Sequence, residues 1–114
     1  MPYINVKTSA KLDDNTKNNI LKKLSKAATL IPGKSEAYVM CEIDDGKAMI
    51  FGGDADSACA IAEMKLFGTS SKDVYLKVTQ EICKIMNEEA GVERDRCYVK
   101  FDEVEYWGID GFMF

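Results

Sequence analysis

The second residue of the chain, Pro2, is the position at which the sequence most directly suggests chemistry. A small residue after Met1 allows the initiator methionine to be removed, and the mature chain would then begin with a secondary amine. An unperturbed α-amino group titrates at about 7.7 to 8.0, and burial in an apolar site lowers that pKa toward neutrality. Because a neutral amine is a competent general base, Pro2 is a candidate catalytic base.

The segment that follows Pro2 would hold this amine on a rigid element. Residues Tyr3 to Thr8 alternate in the manner of a β-strand. An amine at the start of a strand is positioned far better than one on a mobile tail. The alternative interpretation is that a proline at this position indicates only that the N-terminus is processed.

The remaining side chains limit the chemistry that is available. The chain has no histidine, and its four cysteines, which include no C-x-x-C pair, are far apart in sequence: Cys41, Cys59, Cys83 and Cys97. A Ser-His or Cys-His nucleophile is therefore excluded, and a zinc site built from neighbouring ligand pairs is not expected. We expect reduced cysteines that serve as small core residues, no metal, and catalysis by an amine, a carboxylate, a phenol or a backbone group.

Length and charge indicate a single domain that binds neither nucleic acid nor membrane. A chain of 114 residues corresponds to one domain, residues 1–114. Its formal net charge of −4 argues against phosphate binding, and no apolar run approaches the roughly 20 residues of a membrane span. The N-terminus lacks the pattern of a secretory signal. We expect a cytoplasmic protein, or one secreted without a signal peptide.

The first half of the chain predicts a strand, a helix and a hairpin. Apolar residues recur at helical spacing between residues 13 and 31, with Asp13 or Asp14 as the N-cap and Pro32-Gly33 as the stop. Residues 37–43 predict a strand. The turn at residues 44–46 and a second strand at residues 48–51 would complete a β-hairpin.

The second half predicts the same order of elements. Residues 58–66 predict a strand, although their alanine, glutamate and methionine content is also compatible with a helix. A helix follows, beginning near Ser70 or Ser71 and ending before Gly91. Residues 96–101 predict the last strand. The apolar stripe of this second helix consists of Val74, Val78, Ile82, Ile85 and Met86.

The two halves resemble each other. Residues 2–43 and 58–102 each predict strand, helix, strand, and each half contains a Tyr-Val pair, at Tyr38 and at Tyr98. The predicted fold class is α+β: a duplicated β-α-β unit that forms a four-stranded mixed sheet with two helices on one face. Taken alone, this repeat is also compatible with a ferredoxin-like regulatory module that performs no chemistry.

Such an arrangement leaves the second face of the sheet open. In the last strand Val99 and Phe101 fit the helix-covered face, so Tyr98 and Lys100 point to the open face. An open face that carries aromatic side chains, together with the apolar residues 107–114, needs a cover, and another copy of the chain is the simplest one. In the earlier strand the same rule places Val39, Cys41 and Ile43 on the covered face and Tyr38 and Met40 on the open face.

Several short stretches resemble the macrophage migration inhibitory factor family of the tautomerase superfamily. Each stretch is weak alone, whereas their order and spacing together are specific. They are Met1-Pro2, Gly33-Lys34, Tyr38-Val39-Met40, Phe51-Gly52-Gly53, Arg96 with Tyr98, residues 107–111 and the terminal Phe114.

The resemblance implies a homotrimer with helices outside, sheets inside and active sites at the subunit interfaces. Family members interconvert the keto and enol forms of aryl pyruvates such as phenylpyruvate and tautomerise dopachrome-like compounds, without a cofactor or metal. Animal members are also secreted cytokines. The resemblance therefore implies an isomerase, and the alternative is a cytokine-like ligand for a host or cell-surface receptor with vestigial tautomerase activity.

The resemblance also implies roles for individual residues. Pro2 would be the catalytic base, Lys34 would bind the substrate carboxylate, and Phe67 stands where the family uses its backbone. Tyr98 and Lys100 would enter the pocket from the neighbouring subunit, with Tyr38, Trp107 and Phe114 as aromatic walls.

Each of these residues also has a structural interpretation. Lys34 would be a solvated loop lysine, and Tyr38 and Tyr98 would be packed strand aromatics. Trp107 and Phe114 could equally pack at a trimer interface. Two departures from the family bear on substrate preference: Lys100 stands where animal members have Asn, and Phe67 is larger than the usual Ile.

Overall fold

The computed structural model describes residues 1–114 and contains a four-stranded mixed sheet with two helices on one face, as predicted. Short 3-10 turns lie at Ala28–Leu30, Glu36–Tyr38 and Arg94–Arg96. The strands and helices, in chain order, are β1 Pro2–Thr8, α1 Asp14–Ala27, β2 Met40–Asp44, β3 Ala60–Phe67, α2 Lys72–Ala90, β4 Cys97–Val104, β5 Gly108–Ile109 and β6 Phe112–Met113.

The sheet topology confirms the duplication. The strand order is β2-β1-β3-β4, in which β1 pairs parallel with β2, β3 pairs parallel with β4, and β1 and β3 pair antiparallel at the centre. Each parallel pair is connected through one helix, so the chain consists of two β-α-β units. The separate strands β5 and β6 form a small hairpin at the C-terminus.

The helices begin and end at the residues whose chemistry favours it. Asp13 caps α1 by accepting a hydrogen bond from the backbone N–H of Thr16 at 2.7 Å. Ser71 caps α2 in the same way, and Gly91 ends that helix in the left-handed conformation with φ 69°. Helix α1 stops at Ala27, earlier than predicted, because the chain tightens into a 3-10 turn that leads to Ile31.

The hydrophobic core lies between the helices and the covered face of the sheet. It consists of a cluster of 16 buried residues in which Ile4 and Met64 of the central strands meet Leu24 of α1 and Ile82 of α2. Full burial of each such side chain contributes about 1.5–3 kcal/mol. This packing fixes the positions of the strand ends that form the site described below.

The predicted hairpin between residues 37–43 and 48–51 is wrong. Strand β2 pairs with β1 instead, and residues 45–50 form no strand because the N–H groups of Gly46 and Lys47 donate to the carbonyls of Ala10 and Thr8. The start of the predicted strand is also wrong. Residues 36–38 form a 3-10 turn, capped by the Ser35 hydroxyl, which accepts from the N–H of Ala37 at 3.2 Å.

The strand interpretation of residues 58–66 is confirmed, with bounds of Ala60–Phe67. Alternate residues of β3 are buried while their neighbours are less so, which is the period of a strand and not of a helix. Strand β4 extends to Val104, three residues beyond the predicted end. The longer β4 keeps pairing with β3 as far as Phe67.

The predicted assignment of side chains to the two sheet faces is confirmed for the residues that lie in strands, and Tyr38 and Val39, which precede β2, differ in exposure in the same way. Val39, Cys41, Val99 and Phe101 are among the residues that pack against the core. On the other face, Tyr38, Met40 and Tyr98 are exposed by 58, 67 and 61 %. No helix in the structure combines the length and apolar composition needed to cross a bilayer.

Candidate active site

A pocket of about 290 Å³ opens at the N-terminal end of β1, where the sequence analysis places the catalytic base. A larger groove between α1 and α2 is lined mainly by lysines and glutamates and contains none of the site residues predicted from the sequence. The pocket at β1 is mainly apolar. Its lining residues are Met1, Pro2, Tyr3, Ala37, Tyr38, Val39, Met40, Trp107, Gly108 and Ile109.

Three separate parts of the chain meet at this pocket. Pro2 is buried at the start of central strand β1, a position that suits a residue without a backbone N–H, and it lies opposite Leu66. Tyr38 comes from the 3-10 turn before β2, which β1 holds in parallel register. Trp107 follows β4. The pocket therefore forms only once both β-α-β units and the C-terminal segment are in place.

Lys34 is bound to the end of β3 and is not a free loop lysine. Its ammonium donates a hydrogen bond to the carbonyl of Phe67 at 2.6 Å. Gly33, with φ 81°, turns the chain immediately before Lys34. The N–H of Phe67 donates in turn to the carbonyl of Met1 at 3.4 Å. The end of β3 thus connects Lys34 to the amino terminus.

The electrostatics at the amino terminus favour the neutral amine. Burial lowers the pKa of the Met1 amine, and the positive charge of Lys34 and a hydrogen bond with its side chain lower it further. Desolvation and a nearby like charge both act against the protonated form. At neutral pH, a larger fraction of the amine at this end of β1 is therefore neutral, and able to accept a proton, than of an amine in water.

The structure brings most of the predicted site residues together within one chain. Pro2, Tyr38 and Trp107 line the pocket, and Lys34 reaches the amino terminus that forms part of it. Phe67 contributes its carbonyl to Lys34, and its ring packs against Phe114, with ring centres 5.8 Å apart and an angle of 48°.

Tyr98 and Lys100 do not reach this pocket within one chain. Tyr98 pairs across β3 with the far end of β1, at Lys7, about 16 Å along the strand from Pro2. Its ring packs against Phe51, with the ring centres 4.9 Å apart. Lys100 is level with Asn5 of β1, nearer to Pro2 than Tyr98 is, but β3 lies between it and β1. Its ammonium is 3.4 Å from the carboxylate of Asp102.

The sequence profile of the macrophage migration inhibitory factor (MIF) family matches residues 1–113. The chain belongs to the MIF family. The match covers both β-α-β units and nearly all of the C-terminal hairpin, so the resemblance drawn from short stretches is confirmed over the whole fold.

Relatives of known sequence and structure agree with this assignment. A macrophage migration inhibitory factor homolog from Brugia malayi is 30% identical over 105 residues, which are 92% of this chain and 90% of the relative. The MIF homologue from Prochlorococcus marinus is 28% identical with a TM-score of 0.89, covering 98% of each chain. Leishmania major MIF2, 24% identical, shares the fold with a TM-score of 0.92 over 100% of this chain and 97% of its own. This fold and family support a tautomerase-type function.

Two features of this MIF-family chain were not recognised from its sequence. Arg96 received no role, yet its guanidinium donates to four backbone carbonyls between residues 51 and 58. No local pattern identifies such a residue. The C-terminal hairpin was also missed, although Asp110-Gly111, both with positive φ, is a strong turn signal.

No group of three or more His, Cys, Asp or Glu side chains is arranged to hold a metal ion.

Proposed function

We propose that this chain is a keto–enol tautomerase for aryl pyruvates such as phenylpyruvate, and for dopachrome-like compounds, with Pro2 as the general base. The observation that carries the proposal is the position of Pro2. It is buried at the start of a central strand, in an apolar pocket, with the ammonium of Lys34 beside the amino terminus.

The proposed reaction moves one proton between carbon and oxygen. Removal of Met1 leaves the Pro2 amine, whose pKa burial and Lys34 would lower as they lower the pKa of the Met1 amine. The neutral amine takes a proton from the carbon next to the ketone, and the C–H electron pair forms the enolate. The protonated Pro2 amine then gives that proton to the enolate oxygen, which completes the enol and restores the neutral base. The reverse sequence returns the ketone, with nothing consumed.

Removal of Met1 would also supply a binding group. In the chain that retains Met1, the N–H of Phe67 is bound to the Met1 carbonyl. Without Met1 that N–H is a free donor beside the ammonium of Lys34, which itself holds the Phe67 carbonyl. A backbone N–H and a cation together suit a carboxylate. We assign them to the carboxylate of the 2-oxo acid, with Tyr38 and Trp107 against its aromatic ring.

The complete site requires a homotrimer with the sheets inside. The open sheet face is uncovered in one chain, and Tyr98 and Lys100 lie too far from Pro2 to contact a substrate there. A neighbouring subunit would supply both residues and cover Phe114. Light scattering should give the mass of three chains, and a stable 12.7 kDa monomer would contradict this part of the proposal.

A protein that carries one extra residue before Pro2 tests the enzyme assignment. The extension converts the amine into an amide, which has no basicity, so tautomerisation of phenylpyruvate should be lost while the oligomer is retained. Mass spectrometry of the mature native protein should show that Met1 is absent. Equal activity of the extended and native proteins would refute Pro2 as the base. Family membership alone supports the alternative, a cytokine-like ligand that acts in the cytoplasm or after export, and it predicts receptor binding by the extended protein.

A further inference from the structure

The C-terminal residues form a self-contained hairpin that supplies one wall of the pocket. Gly108 pairs with Met113 and Ile109 with Phe112, and the N–H of Phe114 donates to the carbonyl of Trp107 at 2.9 Å. The turn between these strands has φ 53° and 76° at its two central residues, which is typical of a tight type I′ turn. Residues 107–109 face the pocket that contains Pro2.

A hairpin of this size needs an anchor. Two-stranded hairpins are at best marginally stable in water, and this one exposes 71 % of Phe112 and 68 % of Met113. One aromatic contact connects it to the sheet, namely the packing of Phe114 against the ring of Phe67. Phe67 is the last residue of β3, a strand paired on both sides. The contact thus joins a short two-stranded hairpin to a strand within the four-stranded sheet.

We propose that the ring of Phe67 is a positioning residue that fastens the C-terminal hairpin through Phe114, so that Trp107 and the residues after it stay in place as the pocket wall. The backbone of Phe67 already holds Lys34, so a single residue would position both the cation and the wall. An aromatic pair of this kind shifts an equilibrium by about 2- to 10-fold in favour of the closed arrangement. Its effect on catalysis rests on the proposed function, whereas the fastening itself does not.

The single tryptophan of the chain reports directly on this arrangement. Phe67→Ala should shift the emission of Trp107 to longer wavelength and increase its quenching by acrylamide. Phe67→Tyr keeps the ring and should restore the native emission and quenching. Leu76→Ala, which removes an exposed apolar side chain of α2 outside the pocket, is the control for a general loss of apolar surface and should change neither.

A double-mutant cycle tests whether the contact between the rings of Phe67 and Phe114, and not a general loss of packing, holds the hairpin in place. Phe114→Ala removes the other ring and should change the emission of Trp107 as Phe67→Ala does. The double variant should add little, because either single change already breaks the contact. Phe114 is not part of the hydrophobic core, so its variant tests the proposal even if Phe67→Ala fails to fold by circular dichroism. Native emission and quenching in Phe114→Ala, or full additivity in the double variant, would overturn the proposal.

Activity gives a second readout. Phe67→Ala should raise KM for phenylpyruvate about 2- to 10-fold while leaving the pH profile of kcat unchanged, because the base itself is not altered. Phe67→Tyr should restore KM. If the extended protein remains active but Phe67→Ala exposes Trp107, the fastening stands and the assignment of Pro2 falls. If the extended protein is inactive and neither Phe67→Ala nor Phe114→Ala changes the emission of Trp107, the assignment of Pro2 stands and the proposed role of Phe67 is refuted.

Discussion

The two β-α-β units share one backbone plan, but only the first has a chain end and a candidate base at the start of its first strand. The helix caps Asp13 and Ser71 are separated by the same number of residues as the left-handed glycines Gly33 and Gly91. The two 3-10 turns that precede β2 and β4 have this separation as well. The units can therefore be compared position by position.

The counterparts of the site residues are structural in the second unit. Pro2 corresponds to Ala60, which is 3 % exposed inside a continuous chain, and Lys34 corresponds to Val92, which is fully buried in the core. Tyr38 corresponds to Arg96. The Tyr-Val pairs that suggested the repeat are thus two residues out of register. The comparison teaches that the pocket depends on a free chain end and on a cation that holds a single carbonyl, neither of which the second unit has.

A second pair of equivalent contacts shows that the units differ less away from the pocket. In the first unit the carboxylate of Asp45 accepts from the N–H of Leu12 at 2.8 Å and from the ammonium of Lys17 at 3.4 Å. In the second unit the carboxylate of Glu103 accepts from the N–H of Ser70 and from the hydroxyl of Tyr75. Both carboxylates fix the chain just before a helix. This duplicated contact supports the fold and not the site.

The largest expected effect on activity comes from giving the start of β1 the residue found at the equivalent position of the second unit. Pro2→Ala places there the residue found at the equivalent position, Ala60. The chain would still begin with a free amine, but a primary one without the ring that fixes its orientation. We expect kcat/KM for phenylpyruvate to fall about 10²-fold or more, within the range that general base catalysis contributes. Circular dichroism and light scattering should be unchanged, and native activity would mean that the proline ring has no role.

Arg96, the counterpart of Tyr38 in the second unit, tests whether that position is structural there. Its four hydrogen bonds to backbone carbonyls hold residues 51–58 against β4, and its guanidinium lies 5.2 Å from the ring centre of Phe51. Arg96→Ala removes all four of these hydrogen bonds, and of the four carbonyls those of Phe51 and Asp54 keep a backbone N–H donor. The loss should lower the free energy of unfolding by about 2–4 kcal/mol. Urea denaturation at a fixed protein concentration measures this.

The matched variant Arg96→Lys keeps the charge but not the planar fork. A single ammonium cannot serve four carbonyls, so this variant should lose most of the same stability. Wild-type stability in Arg96→Lys would show that charge alone matters at this position.

The fold was predictable from local signals, and the site was only partly so. Apolar spacing and the caps Asp13 and Ser71 indicate the helices, and alternation indicates β3 in spite of its alanines. The hairpin prediction failed because the bonds that hold residues 46 and 47 come from Thr8 and Ala10, far away in sequence. Likewise, the contact between Lys34 and Phe67 depends on the strand register, which no local pattern encodes. The position of Pro2 after Met1 suggested the base, and the resemblance supplied Lys34, but neither gave the role of Arg96.

Lys34 is expected to affect binding and basicity but not the fold. Lys34→Ala removes a cation from the proposed carboxylate site and should raise KM for phenylpyruvate about 10-fold, with a smaller effect on kcat. It also removes the positive charge that lowers the pKa of the terminal amine. That pKa should rise, so the acidic limb of the rate profile, in which activity increases as the amine loses its proton, should move to higher pH.

The matched control is Lys34→Arg, which keeps a positive charge near the amine. Its acidic limb should stay close to that of the native protein. An unchanged KM and an unchanged limb in Lys34→Ala would remove Lys34 from the site, because each effect follows separately from its charge.

The smallest effects concern the duplicated carboxylate contact. Tyr75→Phe deletes the hydroxyl that Glu103 accepts from and keeps the ring, which stacks on Phe101 with centres 4.4 Å apart. The hydroxyl also accepts from the N–H of Ser70, but that N–H keeps Glu103 as a partner in the variant. The free energy of unfolding should therefore fall by about 0.5–1.5 kcal/mol, the net contribution of one hydrogen bond.

The equivalent change in the first unit is Lys17→Met, which removes a half-buried ion pair with Asp45 and a second ion pair with the exposed Asp14. Its effect should be smaller than that of Tyr75→Phe and should vanish in high salt, because solvent screens the pair. Asp45 has a pKa below its usual value, chiefly because it accepts from the N–H of Leu12 and secondarily because of Lys17. The stability that Asp45 contributes is therefore present above the ordinary aspartate pKa and is lost as the pH falls through the lowered value. Urea titrations of both variants at neutral and acidic pH measure this, and a larger loss for Lys17→Met than for Tyr75→Phe at neutral pH would show that the two contacts are not equivalent.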